Sequence, residues 1–566
     1  MTLIKTKYNR RSFLKVSAAS TGGMMLGFNW LVSCSPTPEQ IKQMPEAWFD
    51  INAFLKIGDN GIVTIMSPNP EIGQNVKTSM PMIVAEELDV DWKDVVVEQA
   101  GLDTKNYTRQ LAGGSQSIRQ GWQSLRMAGA TARRMLIEAA AKEMQVDVKE
   151  LTTSKGIISH SNGTSMTYGE VASLASSIEV PEEVELKDPK EFKIIGQPTK
   201  NVDGEKIVKG EPLFGIDYKK GGMLIAMIEH PQGFGMRLKS LDATEAKSMP
   251  GIKDVFTITT NPEGVNKQWS DVNAFPELVV VAGETTWQVM KAKKALKVEW
   301  ELIEGKGEST DDYERALTDL MDTPADEAAR VDGDPEGAFK VASKTLERVY
   351  TAPFLAHNTM EPMNFFAHVT EEKAELAGPI QTPEYLSKTI SGVLNMPEDK
   401  ISIMMTRMGG GFGRRLYGNF GVEAAVISKT LNAPVKLIYT REDDMTQGTY
   451  RPAYKVKYQA AFNESNELTG LKIKGAGVNG SPVFENRFPA GAVDNYLAEN
   501  HSLESSISTG AWRAPRSNFI AFAEQTFLDE IAHELGKDPI EFRLELFDKA
   551  IKSPAGENND YDPERY

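Results

Sequence analysis

Hydrophobic and polar positions along this chain change period several times, and each change marks an element. Phe54-Leu55-Lys56-Ile57 and Ile62-Val63-Thr64-Ile65 flank Asp59-Asn60-Gly61, a two-residue alternation around a turn that predicts a β-hairpin. The period lengthens over Thr78 to Leu88, which predicts a helix. A longer helix follows Gly113-Gly114-Ser115-Gln116-Ser117 and reaches about Met144. It holds Gly121, Ala128, Gly129, Ala130 and Ala132, so one of its faces is bare enough to pack closely on a neighbour. Residues 51–185 therefore read as a first α/β region.

Residues 186–300 read as β-rich, with apolar runs at Gly222 to Ile228, Ile252 to Thr257 and Leu278 to Ala282, then a helix near Trp287 to Leu296. The stretch 301–339 is acidic and hydrophilic and reads as a domain linker with one helix. In 340–566, strands are expected at Ile401 to Met405 and Val435 to Tyr439. Helices are expected from Ser517 to Leu535, stopped by Gly536, and from Asp538-Pro539 to about Lys549. The class is α+β, mixed and multidomain. Asp562-Pro563 has the form of a further helix start with no helix after it, so the chain reads as cut short.

One stretch departs from this ordinary patterning. Met408-Gly409-Gly410-Gly411-Phe412-Gly413-Arg414-Arg415 puts four glycines in five positions directly after an apolar strand. Such a run costs backbone entropy, and an offsetting reason is another body lying against bare main chain. The two arginines that follow suggest that this body is anionic. The loop is neither a P-loop, lacking Gly-Lys-Ser/Thr, nor a dinucleotide fingerprint, lacking Gly-x-Gly-x-x-Gly. A second candidate anion site lies at the start of the long helix, where Ser115, Ser117, the free amides and Gln74 converge; capping alone is an equal reading of the serines. Further candidates are the carboxylate in Met360-Glu361-Pro362, the amide in Ile380-Gln381-Thr382-Pro383, and the arginine in Gly510-Ala511-Trp512-Arg513-Ala514-Pro515. An ion-paired loop carboxylate is the rival reading for Glu361, and a surface arginine for Arg513.

Composition narrows the chemistry. A net charge of −16 over 566 residues argues against a nucleic-acid partner. The single cysteine, Cys34, excludes internal disulfides, thiolate-held iron–sulfur clusters and cysteine zinc sites. The six histidines are scattered without metal-site spacing, so no protein-ligated metal is expected. At the N-terminus, Arg10-Arg11-Ser12-Phe13-Leu14-Lys15 before a mild apolar run reads as a twin-arginine export signal over residues 1–34. Leu31-Val32-Ser33-Cys34 resembles a lipobox, which makes Cys34 a lipidation site and residues 35–50 a tether; cleavage nearby, releasing a free protein, is the alternative. The expected location is the periplasm, with a lipid anchor in a membrane.

Taken together, Gly409 to Arg415, Met360 to Met363, Gly510 to Pro515 and Asp529 to Arg543 resemble the xanthine dehydrogenase and aldehyde oxidase family of molybdenum hydroxylases. The likeness runs from about Phe54 to Tyr566 and is nearest to the molybdopterin-binding beta subunit of isoquinoline 1-oxidoreductase type. In that subgroup the segment like Glu71 to Ser117 comes first in the chain, whereas most of the family carries it late. The resemblance makes residues 204–300 an a/b hammerhead domain. It places Phe412 and Gly413 beside the molybdenum, with Gly410 and Gly411 shaping the loop. It puts Gln381 near the metal's apical position and Arg513 in the family's arginine turn. Gln74 would bind the pterin or its extension, and Gly114, Ser115 and Ser117 its phosphate. The implied cofactor is molybdenum-molybdopterin in the cytosine dinucleotide form, its metal held by the pterin's dithiolene rather than by protein.

The implied reaction is oxidation of an aldehyde or N-heterocycle, with water as the oxygen source. Leu416, where xanthine-oxidising members carry a glutamate, disfavours purines. The family's base glutamate sits in a late Gly-x-Gly-Glu; the one match here, Gly305-Lys306-Gly307-Glu308, lies in the hydrophilic mid-chain stretch and reads as chance. The chain therefore supplies no catalytic residue of its own on this reading. Since one cysteine cannot hold iron–sulfur clusters, a small [2Fe–2S] subunit is the expected partner, with a cytochrome c as a further electron acceptor. The competing reading is a non-catalytic exported lipoprotein that keeps the fold as a binding or scaffold module.

Overall fold

Leu55–Gly58 and Val63–Ser67 pair antiparallel with Leu55 opposite Ile65 and Ile57 opposite Val63, as the alternation requires. The computed structural model describes residues 45, 47–260, 265, 267–272, 275 and 277–565, together with a strand at Thr2–Lys5 that pairs with Glu183–Leu186. The twin-arginine motif and Cys34 lie outside the described residues. Trp48–Asn52 and Val95–Gln99 complete a four-stranded sheet around the hairpin. Helices Val76–Leu88 and Ser117–Met144 close over it, sealing a core of Leu55, Ile57, Val63, Ile65, Ile83 and Leu136. The small residues of the long helix explain how closely the two helices pack. A Cβ placed on Gly129 would lie 2.3 Å from the Val84 carbonyl oxygen.

A seven-stranded sheet forms the middle of the molecule. Its order is Ile252–Ile258, Leu278–Gly283, Leu224–Glu229, Val435–Ile438, Asn364–Val369, Ala374–Gly378 and Ile401–Met405. Three of these strands precede residue 300 and four follow 360, and the join is a parallel pairing of Leu224 with Val435. One apolar core, including Ile228, Val280, Phe365, Ile403 and Phe420, spans that join. The helix expected near Trp287 is Thr286–Lys294. The third large sheet has five strands, ordered Arg330–Asp332, Asn495–Leu503, Leu468–Val478, Tyr454–Phe462 and Lys344–Ala352. Helices Ser517–Leu535 and Pro539–Lys552 pack against it through Phe519, Phe527, Ile531 and Phe542.

The stretch 301–339 does more than link. Its helix, Thr310–Asp322, buries Tyr313, Leu317 and Met321 on one face against Ala453, Ala476 and Val478. Arg330–Asp332 then serves as an edge strand, pairing antiparallel with Tyr496–Ala498. Tyr313, Ala316, Leu317, Leu320 and Met321 give the helix an amphipathic stripe, but the acidic residues around it make the stretch read as solvent-facing.

The first α/β body docks on the outer edge of the seven-stranded sheet, where Leu102 N–H donates to the Ile403 carbonyl at 2.9 Å. The strand carrying Ile403 runs directly into the glycine loop. Docking therefore sets the early loops of the chain beside the late ones.

The close packing at Gly129 yields a test. Gly129→Val should cost about 1–3 kcal/mol in chemical denaturation, since backbone must give way. Gly121→Ala should be neutral or stabilising, because its Cβ meets the flexible ends of Met80 and Leu125 at 3.3 and 3.2 Å, and alanine favours helix.

Candidate functional site

At the end of Ile401–Met405 the chain turns through Thr406 and Arg407, and Met408 N–H donates to the Glu71 carbonyl at 3.0 Å. Gly410 and Gly413 then take φ of +102° and +110°, and Phe412 takes +54° with its ring partly exposed. These left-handed conformations suit glycine and strain phenylalanine.

The expected reason for the glycines, a foreign body against the main chain, is corrected at three of the four. A Cβ on Gly409 would sit 2.4 Å from Glu361 Cβ, one on Gly411 2.6 Å from Gln381 Oε1, and one on Gly413 1.9 Å from the Ala511 carbonyl oxygen. The protein's own segments fill the space. The arginines are corrected too. Arg414 and Arg415 are both buried, and neither offers its charge to a ligand at the surface. Arg415 Nε donates to the Gly410 carbonyl at 2.8 Å, and its Nη2 to the Glu361 carbonyl at 2.7 Å and to Glu361 Oε2 at 3.2 Å. Arg414 Nη1 donates to Asn419 Oδ1 at 3.1 Å. Both guanidiniums act as internal struts of the loop.

Glu361 is the acceptor of the Arg415 strut. Its Oε2 also takes Gly409 N–H at 2.7 Å, and its Oε1 takes Ile216 N–H at 2.8 Å and Asn364 Nδ2 at 3.0 Å. Four donors on a buried carboxylate make it an ion-paired structural residue, in line with the rival reading.

Gln381 bridges the two halves of the molecule. Ala112 N–H donates to its carbonyl at 3.0 Å, and its Nε2 donates to the Ala112 carbonyl at 2.7 Å. Its Oε1 is buried with no donor, beside Gly411. Past Ala112, Gly114 and Ser115 form an exposed turn with φ of +62° and +54°. Neither serine caps the long helix. The cap residue is Gln116, without a side-chain bond, and Ser117 is the first helical residue, its Oγ accepting from Asn69 Nδ2 at 3.0 Å. The amides of Ser117, Ile118 and Arg119 keep no acceptor among the described residues, as expected of a first helical turn. Gln74 is exposed and closes its own loop: its Oε1 accepts from Ile72 N–H at 2.7 Å and its Nε2 donates to the Pro70 carbonyl at 3.1 Å. Arg513 donates its backbone N–H to the Phe412 carbonyl at 2.7 Å, while its side chain stays exposed.

Gly410 to Gly413, Gln381 and Arg513 thus come together directly. Gly114, Ser115 and Ser117 join them through Ala112, and the loop of Gln74 joins through Glu71 and through Ile72, whose Cγ2 is 3.5 Å from a Cβ on Gly411. Glu308, the chance match, is bound elsewhere, accepting from Tyr313 Oη at 2.5 Å and from the Ser505 and Ser506 hydroxyls at 2.8 and 3.0 Å. Sequence reasoning missed Glu71 and Asp203. Buried Glu71 accepts the amides of Gly73, Asn75 and Lys77 at 2.7, 3.1 and 3.0 Å, and so shapes the loop that holds Gln74. Asp203 takes Lys77 Nζ at 2.9 Å and Arg407 Nη1 at 3.2 Å, tying that loop to the approach of the glycine loop. A carboxylate two residues before a turn glycine was the available signal for Glu71; Asp203 carries none locally.

His357 stands behind Gly413. Its Nδ1 lies 2.9 Å from the Thr449 carbonyl and its Nε2 2.9 Å from the Ala511 carbonyl. Burial, with Arg414 adding to it, pushes its pKa down to about 4, so at neutral pH one ring nitrogen donates and the other does not.

What remains unsatisfied defines what the site can take. Among the described residues, the amides of Gly410, Gly411, Phe412 and Gly413 donate to no protein acceptor. They lie beside the unpaired Gln381 Oε1, with the open helix start a few residues away. Rows of free amides bind anionic or oxygen-rich groups, and the Gln381 acceptor suits an N–H or hydroxyl. A pterin with phosphate fits this donor set. Among the described residues no cluster of three or more His, Cys, Asp or Glu is placed to hold a metal ion.

Two family models, each described as a molybdopterin cofactor-binding domain, match residues 15–211 and 321–547. The chain is similar to the membrane-bound aldehyde dehydrogenase [pyrroloquinoline-quinone] of Gluconacetobacter polyoxogenes, 29% identical over 95% of this chain and 72% of that protein. It is also similar to the beta subunit of isoquinoline 1-oxidoreductase from Brevundimonas diminuta, 26% identical over 95% of this chain and 75% of that one. The nicotinate dehydrogenase large molybdopterin subunit of Eubacterium barkeri is 24% identical, with 63% and 89% covered. Among solved structures, aldehyde oxidoreductase from Desulfovibrio gigas gives a TM-score of 0.48 at 17% identity, covering 64% of this chain and 43% of that one. Quinoline 2-oxidoreductase from Pseudomonas putida 86 gives 0.47 at 17% identity, with 60% and 48% covered. The chain spans less than half the length of these two.

Two outcomes follow from the buried charges. Arg415→Leu strands the Glu361 carboxylate, and denaturant unfolding should show a loss of about 3–5 kcal/mol. For His357 the folded pKa, about 4, lies below the ordinary 6.5, so the fold favours the neutral ring. Its contribution is present above pH 6.5 and is lost as pH falls towards 4, by about 3 kcal/mol in all. His357→Gln should flatten the stability profile in that window, which urea midpoints at pH 7 and pH 4.5 would show.

Proposed function

Because the chain belongs to the xanthine oxidase family of molybdopterin-binding large subunits, we propose that it is the large subunit of an exported molybdenum hydroxylase. Its substrates are aldehydes or N-heterocycles, and water is the oxygen source. The observation that carries this is the set of four unspent amides from Gly410 to Gly413 beside the unpaired Gln381 Oε1. Those groups would hold the pterin near the metal. The first turn of Ser117–Met144, with Gly114 and Ser115, would hold the cofactor's phosphate, and the cytosine dinucleotide form is proposed on the family resemblance alone.

Bound there, the molybdenum centre supplies the two-electron oxidation of the substrate carbon. The chain's own part is positional. Phe412, held in a left-handed conformation, turns its ring outward and offers an apolar face to a flat substrate. Arg513, anchored to the Phe412 carbonyl, places a cation at the mouth of the same loop. Arg415 and Glu361 fix the loop so that the amides need no reorganisation when a ligand arrives.

Electrons leave through a small [2Fe–2S] subunit, since this chain has no cysteine set to hold a cluster. The relatives named as subunits of larger enzymes support that assembly. A cytochrome c is the further acceptor. Export by the twin-arginine route and lipidation at Cys34 rest on Arg10-Arg11 and Leu31 to Cys34 alone.

Expression with molybdenum-cofactor maturation enzymes, followed by metal and pterin analysis, tests the reading. About one molybdenum per chain is expected. Gly413→Val should lose it, because its side chain collides with Ala511. Folded, matured protein with neither metal nor pterin would overturn the proposal in favour of a scaffold.

A further inference from the structure

A cleft of about 630 Å³ opens beside the Tyr450 ring. Its walls come from Phe234 and Met236, from Leu302, from Glu308 and Tyr313, and from Phe354 among others. Three of the wall residues are aromatic. Tyr313 and Phe354 meet edge to face at 5.2 Å, and Phe234 and Phe354 each contact the Tyr450 ring, at 6.1 and 6.4 Å. Among the lining residues Glu308 is the single carboxylate, and no lysine or arginine is present.

Glu308 is held in its charged form. Burial raises its pKa, but the hydrogen bonds from Tyr313, Ser505 and Ser506 outweigh that and bring it below the usual carboxylate range. Three hydroxyl donors load Oε2, whereas Oε1 has only the Ser506 amide at 3.3 Å. A fixed negative charge beside aromatic faces attracts a cation that can shed its water. Simple metal ions hold their water too tightly for such walls, and organic ammonium groups do not.

We propose that this cleft binds a small aromatic organic cation, its ring among Phe234, Tyr313 and Phe354 and its positive nitrogen toward Glu308. The volume falls within the range of small-molecule sites. The site is separate from the cofactor loop and does not depend on its loading. Tyr450 links the two, since Gly510 N–H, one residue before Ala511, donates to the Tyr450 carbonyl at 2.8 Å.

The test compares phenyltrimethylammonium with tert-butylbenzene, which has the same shape without charge, by ligand-observed NMR titration of the purified chain. The cation should bind about tenfold more tightly than the hydrocarbon. Glu308→Gln should remove that preference, and Phe354→Leu should weaken the cation several-fold at unchanged circular dichroism. Equal binding of the two probes to the wild type, or binding of neither, would overturn the proposal even if both variants failed to fold. So would a folded Glu308→Gln protein that still preferred the cation.

Discussion

The buried pair of Glu361 and Arg415 is the interaction on which the site depends. One carboxylate accepts from Gly409, Ile216, Asn364 and Arg415, and one guanidinium returns bonds to Gly410 and to the Glu361 carbonyl. The contacts reach the approach to the strand Leu224–Glu229, the start of Asn364–Val369 and the first two residues of the glycine run. Isolated charges in such a place would be costly; here nearly every lone pair and donor is used. Burial pulls the Arg415 guanidinium down only to about 10, so it stays charged at neutral pH.

That pair also explains the arrangement of the glycines. A loop without side chains can press against Glu361, Gln381 and Ala511 at once, and the packing offsets the entropy of ordering it. Among the described residues the amides of Gly410 to Gly413 find no protein acceptor, even with the unpaired Gln381 Oε1 beside Gly411. Crowding by the protein's own segments and unspent backbone donors thus occur in the same loop.

Much of this was legible along the chain. The hairpin at Leu55–Ser67, the strand Ile401–Met405 and the helix Ser517–Leu535 show clear periods, and the glycine run marks itself. Three things were not legible. Arg414 and Arg415 read as ligand-facing because a charge pair after glycines has two solutions, and only the partner Glu361, some fifty residues upstream, selects the inward one. For Ser115 and Ser117 capping stood as an equal reading beside anion binding, because cap residues are recognised by type, while the dihedral that decides the cap belongs to Gln116. The helix in the acidic stretch was expected, but its packing role was not, because the sheet residues that cover Tyr313, Leu317 and Met321 lie more than 130 positions further along the chain.

The site is assembled from two bodies with separate apolar cores. Across their junction run polar contacts: Leu102 to Ile403, Met408 to Glu71, the reciprocal pair of Ala112 and Gln381, and Arg407 to Asp203. Each is worth about 1 kcal/mol net, so docking draws on only a few such terms and on the shape that holds them together. The unspent amides of the glycine loop lie on one side of that junction and those of the long helix on the other. A ligand that bonds to both sets adds its binding energy to docking, and docking in turn raises its affinity by the same factor. The order of events is thereby constrained: the two bodies must be folded before the ligand-binding surface exists, and occupation of that surface makes their association tighter.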